Sequence, residues 1–348
     1  MRIAVEVSAL SHPRTGIPNY IRGTLAGLAT ASDGRDELVG FAPANLRGGA
    51  QAIRKALAGI PLELRLLPVP LAHWVRTGWS RLGFPAAERF LGAFDVLHFW
   101  EWAYPPQRGG VRATTIHDLV PLRFPEWVTP RTRRMHGAKY RHAARTCDVV
   151  FANSEFTAGD VRERLGVSEE RLRVAYPGVD PRYRPEGDRA DLGRPYLLAV
   201  GTEPRKNVGA LVLACRQLGS ELELAVAGQD PPPGVMGLGY VSDDRLATLY
   251  RGADVFVYPS HFEGFGIPVV EAMASGVPCV VSTHRSLDEA CGDAAVRVDP
   301  DNPDSIAAGV ERALAERDGL VPRGLEHARR FTWVETGRAL LAGYEAAH

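Results

Sequence analysis

Two glutamates, Glu263 and Glu271, stand eight positions apart in the segment 259–282, which reads PSHFEGFGIPVVEAMASGVPCVVS. Between them lie Gly264, Phe265, Gly266 and Pro268. The two glycines predict a tight loop whose backbone a ligand can approach closely. Pro268 suits the first position of a helix, where its missing N–H leaves nothing unsatisfied, and Glu271 then falls in the first helical turn. Gly276 and Pro278 end that helix before an apolar strand over 277–281. A glycine-rich loop leading into a helix N-terminus attracts anions, because free N–H groups and the positive end of the helix dipole meet there. Acids beside a phosphate seat make sense when the ligand also carries a vicinal diol, whose two hydroxyls one carboxylate can accept. Phosphate and sugar together describe a nucleotide sugar. Each feature alone also fits ordinary turn and dipole chemistry. Their combination within 24 residues is what points to a ligand.

A second cluster follows the strand-like run Leu197-Leu198-Ala199-Val200: a turn, Gly201-Thr202-Glu203-Pro204, and then Arg205-Lys206-Asn207 at a helix start. A cationic pair at the carboxyl end of a strand suits a diphosphate whose charge grows as it leaves. Lys206 is one of three lysines in the chain, the others being Lys55 and Lys139. Weaker signals lie upstream. Arg14-Thr15-Gly16-Ile17-Pro18 joins the first strand to the first helix, and Gly16 there admits close approach of a phosphate or sugar. His117 and Asp118 end another strand, a place for a polar contact to substrate or for a structural histidine. No GxGxxG follows either opening strand and no GxxxxGK[ST] occurs, against a dinucleotide oxidoreductase or a P-loop NTPase. Asp299-Pro300-Asp301 reads as turn and cap chemistry rather than a metal site, so a metal-independent reaction is expected.

These residues need a scaffold that brings strand ends together. Strands are predicted at 2–7, 37–42, 62–69, 95–99, 113–117, 148–153 and 171–176, with helices at 18–30, 131–145 and 155–165. A proline-bearing polar stretch from Pro177 to Pro195 reads as a linker. The alternation then restarts with strands at 196–201, 222–228, 254–258, 277–281 and 294–298, and helices near 207–218, 243–251, 268–275 and 303–316. Such alternation predicts an α/β protein of two Rossmann-like halves, with ligands beyond the carboxyl ends of the strands in a cleft between them. A last amphipathic helix follows Phe331-Thr332-Trp333.

The 348 residues suit two domains, and 45% hydrophobic with 24% charged residues is ordinary for a soluble protein. No apolar run reaches the length of a membrane span, no secretory signal is evident, and the four cysteines form no CxxC pair; a cytoplasmic protein is expected. The net charge of zero divides unevenly: residues 1–186 carry 26 Lys+Arg and 18 Asp+Glu, residues 187–348 carry 15 and 23. The basic half fits an anionic membrane surface or phosphorylated acceptor better than nucleic acid, for which no binding module is present. Within it, His73-Trp74-Val75-Arg76-Thr77-Gly78-Trp79-Ser80-Arg81-Leu82-Gly83-Phe84 mixes aromatics with arginines and would either rest on a bilayer, beside a lipid-linked acceptor, or cover the core as an ordinary helix.

The Glu263-x7-Glu271 pattern with its Gly-Phe-Gly insert, the Pro204-Arg205-Lys206-Asn207 turn, the His117-Asp118 turn, the Gly16 loop and the closing Phe331-Thr332-Trp333 resemble glycosyltransferase family 4, retaining enzymes of the GT-B fold. The resemblance covers most of the chain and implies an acceptor-binding domain over 1–178, a nucleotide-sugar-binding domain over 179–330 and a helix over 331–348 that returns to the first domain. It implies that Glu271 binds the ribose hydroxyls and Glu263 the transferred sugar. Gly264, Phe265 and Gly266 would orient sugar and diphosphate, Arg205 and Lys206 would stabilise the departing diphosphate, and Gly16 would lie against it. His117 would touch the donor sugar, and Val241, within Gly239-Tyr240-Val241, would line the base pocket. It implies retention through a same-face, oxocarbenium-like route with no assigned protein nucleophile, and neither cofactor nor metal. One departure stands out: Thr202 follows Gly201 where many members carry arginine, leaving the clamp to Arg205 and Lys206. Glu-Pro-Arg-Lys-Asn resembles mannosyltransferases of surface-polysaccharide assembly, which favours GDP-mannose over UDP-glucose. The reading is a hexosyltransferase acting on a hydroxyl acceptor in the cytoplasm, with a peripheral position on the inner membrane face as an extension. An epimerase or phosphorylase-like enzyme of the same fold, or a non-catalytic nucleotide-sugar-binding subunit, are the alternatives.

Overall fold

The computed structural model describes residues 1–11, 16–45, 48–100, 103–219 and 222–348. Its elements fall into two units, Met1–Gly178 with Thr332–His348, and Val179–Phe331.

The first unit holds seven strands: β1 (Arg2–Glu6), β2 (Glu37–Asn45), β3 (Glu63–Val69), β4 (Val96–Phe99), β5 (Val111–Ile116), β6 (Val149–Ala152) and β7 (Leu172–Val174). They form one parallel sheet in the order β3-β2-β1-β4-β5-β6-β7. Central strands such as Val-Val-Phe-Ala of β6 are buried throughout, as a parallel sheet covered on both faces requires. The covering helices include Gly16–Ser32, Pro130–Thr146 and Glu155–Leu165; the last two begin at Thr129 and Ser154, whose hydroxyls accept the N–H groups of Thr132 and Thr157. The final helix, Trp333–Ala347, lies on Gly16–Ser32 so closely that a Cβ at Gly27 would meet the Trp333 carbonyl oxygen at 1.8 Å and one at Gly337 would meet Gly27 at 2.5 Å. It is also tied to the sheet, where the Tyr344 hydroxyl and His98 Nδ1 lie 2.6 Å apart in full burial.

The second unit holds β8 (Tyr196–Val200), β9 (Glu223–Ala227), β10 (Met236–Gly239), β11 (Val255–Tyr258), β12 (Cys279–Ser282) and β13 (Ala295–Val298), parallel in the order β10-β9-β8-β11-β12-β13. Leu197, Leu211, Val226, Val257, Val280, Ile306 and Val310 fill its core. Among the elements that the sequence pattern did not predict, two in this unit stand out. Met-Gly-Leu-Gly of β10 has the composition of a loop, and its pairing with β9 shifts register between Gly237 and Gly239. The helix Arg317–Ala328 carries Pro322 inside it, where proline is usually read as a break.

Each sheet reverses its winding at one place, between β1 and β4 in the first unit and between β8 and β11 in the second. In open α/β sheets ligands bind beyond the strands at such switch points. Among the described residues no helix is long and apolar enough to cross a membrane.

Candidate active site

The switch point of the second unit brings two loops together. Gly201–Asn207 leaves β8 and contains a short helical turn, Pro204–Lys206, whose last residue points its ammonium inward. Gly201 has φ of 90°, and a Cβ there would come within 2.9 Å of the Lys206 side chain, so the turn requires glycine. The other loop, 259–266, leaves β11. The Arg205 carbonyl accepts the His261 N–H at 2.8 Å and the Ser260 hydroxyl at 3.0 Å, which locks one loop to the other.

Glu263 is the centre of this junction. Its Oε1 accepts from Lys206 Nζ at 2.7 Å and from Ser260 Oγ at 2.7 Å, and its Oε2 accepts from Arg205 Nη1 at 2.5 Å. Its own N–H donates to Ser286 Oγ at 3.0 Å. Lys206 Nζ also donates to the Tyr258 hydroxyl. Glu263 and Lys206 are both buried, and Arg205 is partly exposed. Burial by itself would raise the Glu263 carboxyl, but the charges of Lys206 and Arg205 and the donated hydrogen bonds bring it down to about 2. Burial lowers the Lys206 ammonium below the usual lysine range, and the charge of Glu263 opposes that lowering. The three residues therefore carry one surplus positive charge, suited to meeting a diphosphate.

Gly266 ends the loop with φ of 104° and caps the helix Ile267–Ala274; a Cβ there would sit 2.5 Å from Leu287 Cδ2. Because Ile267 is the first helical residue, Pro268 occupies the second position and Glu271 lies past the first turn, a correction to the predicted placement of both. Gly264 and Phe265 are buried, and Phe265 packs edge-on against Phe331 with ring centroids 5.1 Å apart. Of the two loop glycines, only Gly266 needs a left-handed backbone.

Glu271 has a different environment from Glu263. Its Oε2 accepts from the Tyr250 hydroxyl at 3.3 Å, and Tyr250 packs edge-on against Tyr183 at 5.7 Å. Burial and the charge of Asp243 push the carboxyl up to about 8. Asp180 and Arg182, from the segment read as a linker, also act on it. Nearby, Val241 is partly buried and Tyr240 is 55% exposed between β10 and the helix Asp243–Gly252. Thr202, the departure from the family pattern, donates its hydroxyl to the Gln229 carbonyl.

In the first unit, Gly16 is the first residue of its helix rather than a loop residue; it is exposed, with open space where a side chain would stand. Arg14 and Thr15 lie outside the described residues. His117 directly follows β5. Its Nε2 is buried without a hydrogen-bond partner, and burial with the Lys139 charge lowers the imidazole to about 3, so the ring is neutral. Trp100, directly after β4, and Asn153, directly after β6, repeat this condition: Trp100 Nε1 and Asn153 Oδ1 are buried and unpartnered. Three neighbouring strands thus end in three unsatisfied polar atoms. The rings of Trp100 and His117 both stand edge-on to Tyr20, at 6.0 and 4.7 Å.

The structure brings Glu263, Lys206 and Arg205, all named from the sequence, together with Ser260, Tyr258 and Ser286, which were not named; Tyr250, Trp100 and Asn153 were not named either. Ser260 and Tyr258 were within reach, since both belong to the same strand end as Glu263. Trp100 and Asn153 have no motif; only the strand order reveals them.

Two parallel Rossmann-like sheets with these strand-end loops define a glycosyltransferase of the GT-B class, and known proteins agree. Residues 185–332 match the glycosyl transferases group 1 family, and residues 43–183 match glycosyltransferase family 4. O-antigen chain mannosyltransferase B of Escherichia coli is 31% identical over 96% of this chain and 96% of its own length. An MMP alpha-(1->4)-mannosyltransferase of Mycolicibacterium hassiacum is 32% identical over 64% of this chain and 60% of its own. Among solved structures, sucrose-phosphate synthase from Thermosynechococcus elongatus superposes with a TM-score of 0.71 at 19% identity, covering 99% of this chain and 98% of that one. Anabaena HepE, solved with UDP and glucose, gives 0.67 at 15% identity over 98% of each chain. These structural likenesses establish the fold. The chain belongs to glycosyltransferase family 4.

Proposed function

We propose that the protein is a retaining hexosyltransferase that moves a sugar from a nucleoside diphosphate sugar to a hydroxyl acceptor in polysaccharide or glycolipid assembly. GDP-mannose is the favoured donor. The observation that carries the reading is the Lys206–Glu263–Arg205 cluster at the switch point, with Lys206 and Glu263 buried, a preformed charge arrangement for a leaving diphosphate. The mannosyltransferase activities in the names of two relatives support the choice of sugar.

In this account the Val179–Phe331 unit binds the donor. The C1–O bond to the diphosphate breaks with its electron pair going to the phosphate oxygen, where Arg205 and Lys206 oppose the growing charge. The acceptor oxygen bonds to C1 on the same face, and its proton passes to the departing phosphate oxygen. Glu263, ionised because its carboxyl lies near 2, does not supply that proton; it holds the two cations in place and accepts from sugar hydroxyls. Glu271 accepts from the ribose diol, and Val241 lines the base site. Gly16 lies along the diphosphate, and the amides of Gly264, Phe265 and Gly266 orient sugar and phosphate. In the Met1–Gly178 unit the unpartnered atoms of Trp100, His117 and Asn153 meet hydroxyls of the sugars. None of these roles invokes a metal.

A thermal-shift panel of GDP-, UDP- and ADP-sugars tests the reading. A ligand that binds only the folded state raises its melting temperature, and GDP-mannose is expected to give the largest rise. No shift with any of them would contradict the proposal. A rise accompanied by interconversion of donor sugars without transfer would favour the epimerase alternative.

A further inference from the structure

The helix Ala72–Leu82 is built inside out. Its inward residues are Ala72, Arg76 and Trp79, with Trp79 edge-on to Phe41 at 6.3 Å and to Phe90 at 5.9 Å. Its outward stripe is apolar: Leu71, Trp74, Val75 and Leu82 recur at helical spacing, and Phe84 follows one residue beyond the helix, after Gly83. Trp74 is 66% exposed, Leu82 79% and Phe84 69%. A helix on a water-facing surface ordinarily shows the opposite pattern, and a contiguous apolar stripe marks a surface that meets something.

The charge around it selects the partner. From Leu64 to Ala87 the sequence contains no acid, and neither does the helix Pro130–Thr146, which carries six basic residues. That helix adjoins the stripe: Arg131 Nη2 donates to His73 Nε2. Arg81, Arg131, Arg133 and Arg134 are exposed. A second copy of the chain would bring arginine against arginine. An anionic bilayer complements both features at once, taking the apolar side chains between its headgroups and the guanidinium groups against its phosphates.

We propose that the Ala72–Leu82 helix lies in the headgroup region of an anionic phospholipid membrane, with Leu71, Trp74, Val75, Leu82 and Phe84 inserted and the Pro130–Thr146 arginines at the lipid phosphates. This goes beyond the glycosyl-transfer reading and stands without it.

Vesicle co-sedimentation tests the proposal on the whole protein. Wild type should sediment with phosphatidylglycerol-containing vesicles, not with phosphatidylcholine alone, and binding should weaken as salt rises. The exposed-face pair Trp74→Ser with Leu82→Ser, and separately Arg131→Glu with Arg133→Glu, should each weaken binding about tenfold or more. Their melting temperatures should be unchanged, because none of the four side chains is buried. Wild type left in the supernatant with anionic vesicles would overturn the proposal. So would a Trp74→Ser, Leu82→Ser variant that binds like wild type, or a wild-type dimer in solution that this variant dissociates, which would assign the face to a second copy.

Discussion

Lys206 Nζ and Glu263 Oε1 lie 2.7 Å apart, both buried, at the one place where strand winding in the second unit reverses. They come from loops after neighbouring strands, 57 positions apart in sequence. Each favours the charged form of the other, so the pair acts as one element in both stability and chemistry.

Replacing Lys206 by Met should lower kcat by roughly 10²–10³-fold, the usual scale for removing one preorganised group from a developing charge. It should also destabilise the fold by about 3–5 kcal/mol, because Glu263 is left as a buried charge with less compensation. Steady-state kinetics and chemical denaturation measure both. The pair Lys206→Met with Glu263→Gln should recover stability and not turnover. Recovery of turnover would place the charge stabilisation elsewhere.

Glu271 makes stability depend on pH in a direction opposite to Glu263. Its carboxyl lies at about 8 in the folded protein, above the unfolded value, so its contribution is fully present below about 4.5 and is lost as pH rises through 8. Glu263, at about 2, contributes above about 4.5 and loses that contribution as pH falls through 2. Glu271→Gln should therefore raise the melting temperature relative to wild type at pH values above 8, with little difference near pH 5. An equal difference at both pH values would remove the assignment. The same substitution should weaken donor binding more than it lowers kcat, most strongly above pH 8, where Glu271 is ionised and can accept from both ribose hydroxyls.

Gly266→Ala should cost about 1–3 kcal/mol for its left-handed backbone alone, with further loss from contact with Leu287. Because Gly266 positions the start of the Ile267–Ala274 helix, donor KM should rise in parallel with that instability. A variant as stable as wild type would show that the loop relaxes without strain.

Trp100 and Asn153 should behave as binding residues rather than as structure. A buried polar atom without a partner costs about 1–3 kcal/mol, so Asn153→Leu should leave stability unchanged or raise it. It should raise acceptor KM, while slow donor hydrolysis in water stays as in wild type. Trp100→Phe should likewise raise acceptor KM, with a separate loss of stability from the cavity left by the smaller ring. For Asn153→Leu, a loss of stability with unchanged acceptor KM would assign its unpartnered atom to a structural water.

Much of this architecture could be read from the chain because a parallel sheet writes itself as apolar runs separated by helices. β8, β11 and β12 were predicted within two residues at each end, and so were the helices that cover β6. Glu263 and Lys206 were legible because one stands beside a Gly-Phe-Gly loop leading into a helix and the other in an Arg-Lys pair at the end of a predicted strand. What stayed hidden depends on strand order and on tertiary environment. Nothing in Phe-Trp or Ala-Asn-Ser announces that Trp100 and Asn153 flank His117; only the neighbouring order β4-β5-β6 does. The different ionisation of Glu263 and Glu271 was equally hidden, since it comes from Lys206 and Arg205 in one case and from burial beside Asp243 in the other. The outward stripe from Leu71 to Leu82 has the periodicity of a core helix, and periodicity does not tell which side faces inward.

The central claim is same-face transfer from a nucleoside diphosphate sugar, organised by Lys206, Arg205 and Glu263. Time-resolved proton NMR of wild type with GDP-α-mannose and octyl α-mannoside follows it most directly. The account predicts release of GDP with a new α-linked mannose signal in equal amount, and near-abolition of both with Lys206→Met. A β-linked product, or a Lys206→Met variant with wild-type turnover, would contradict it.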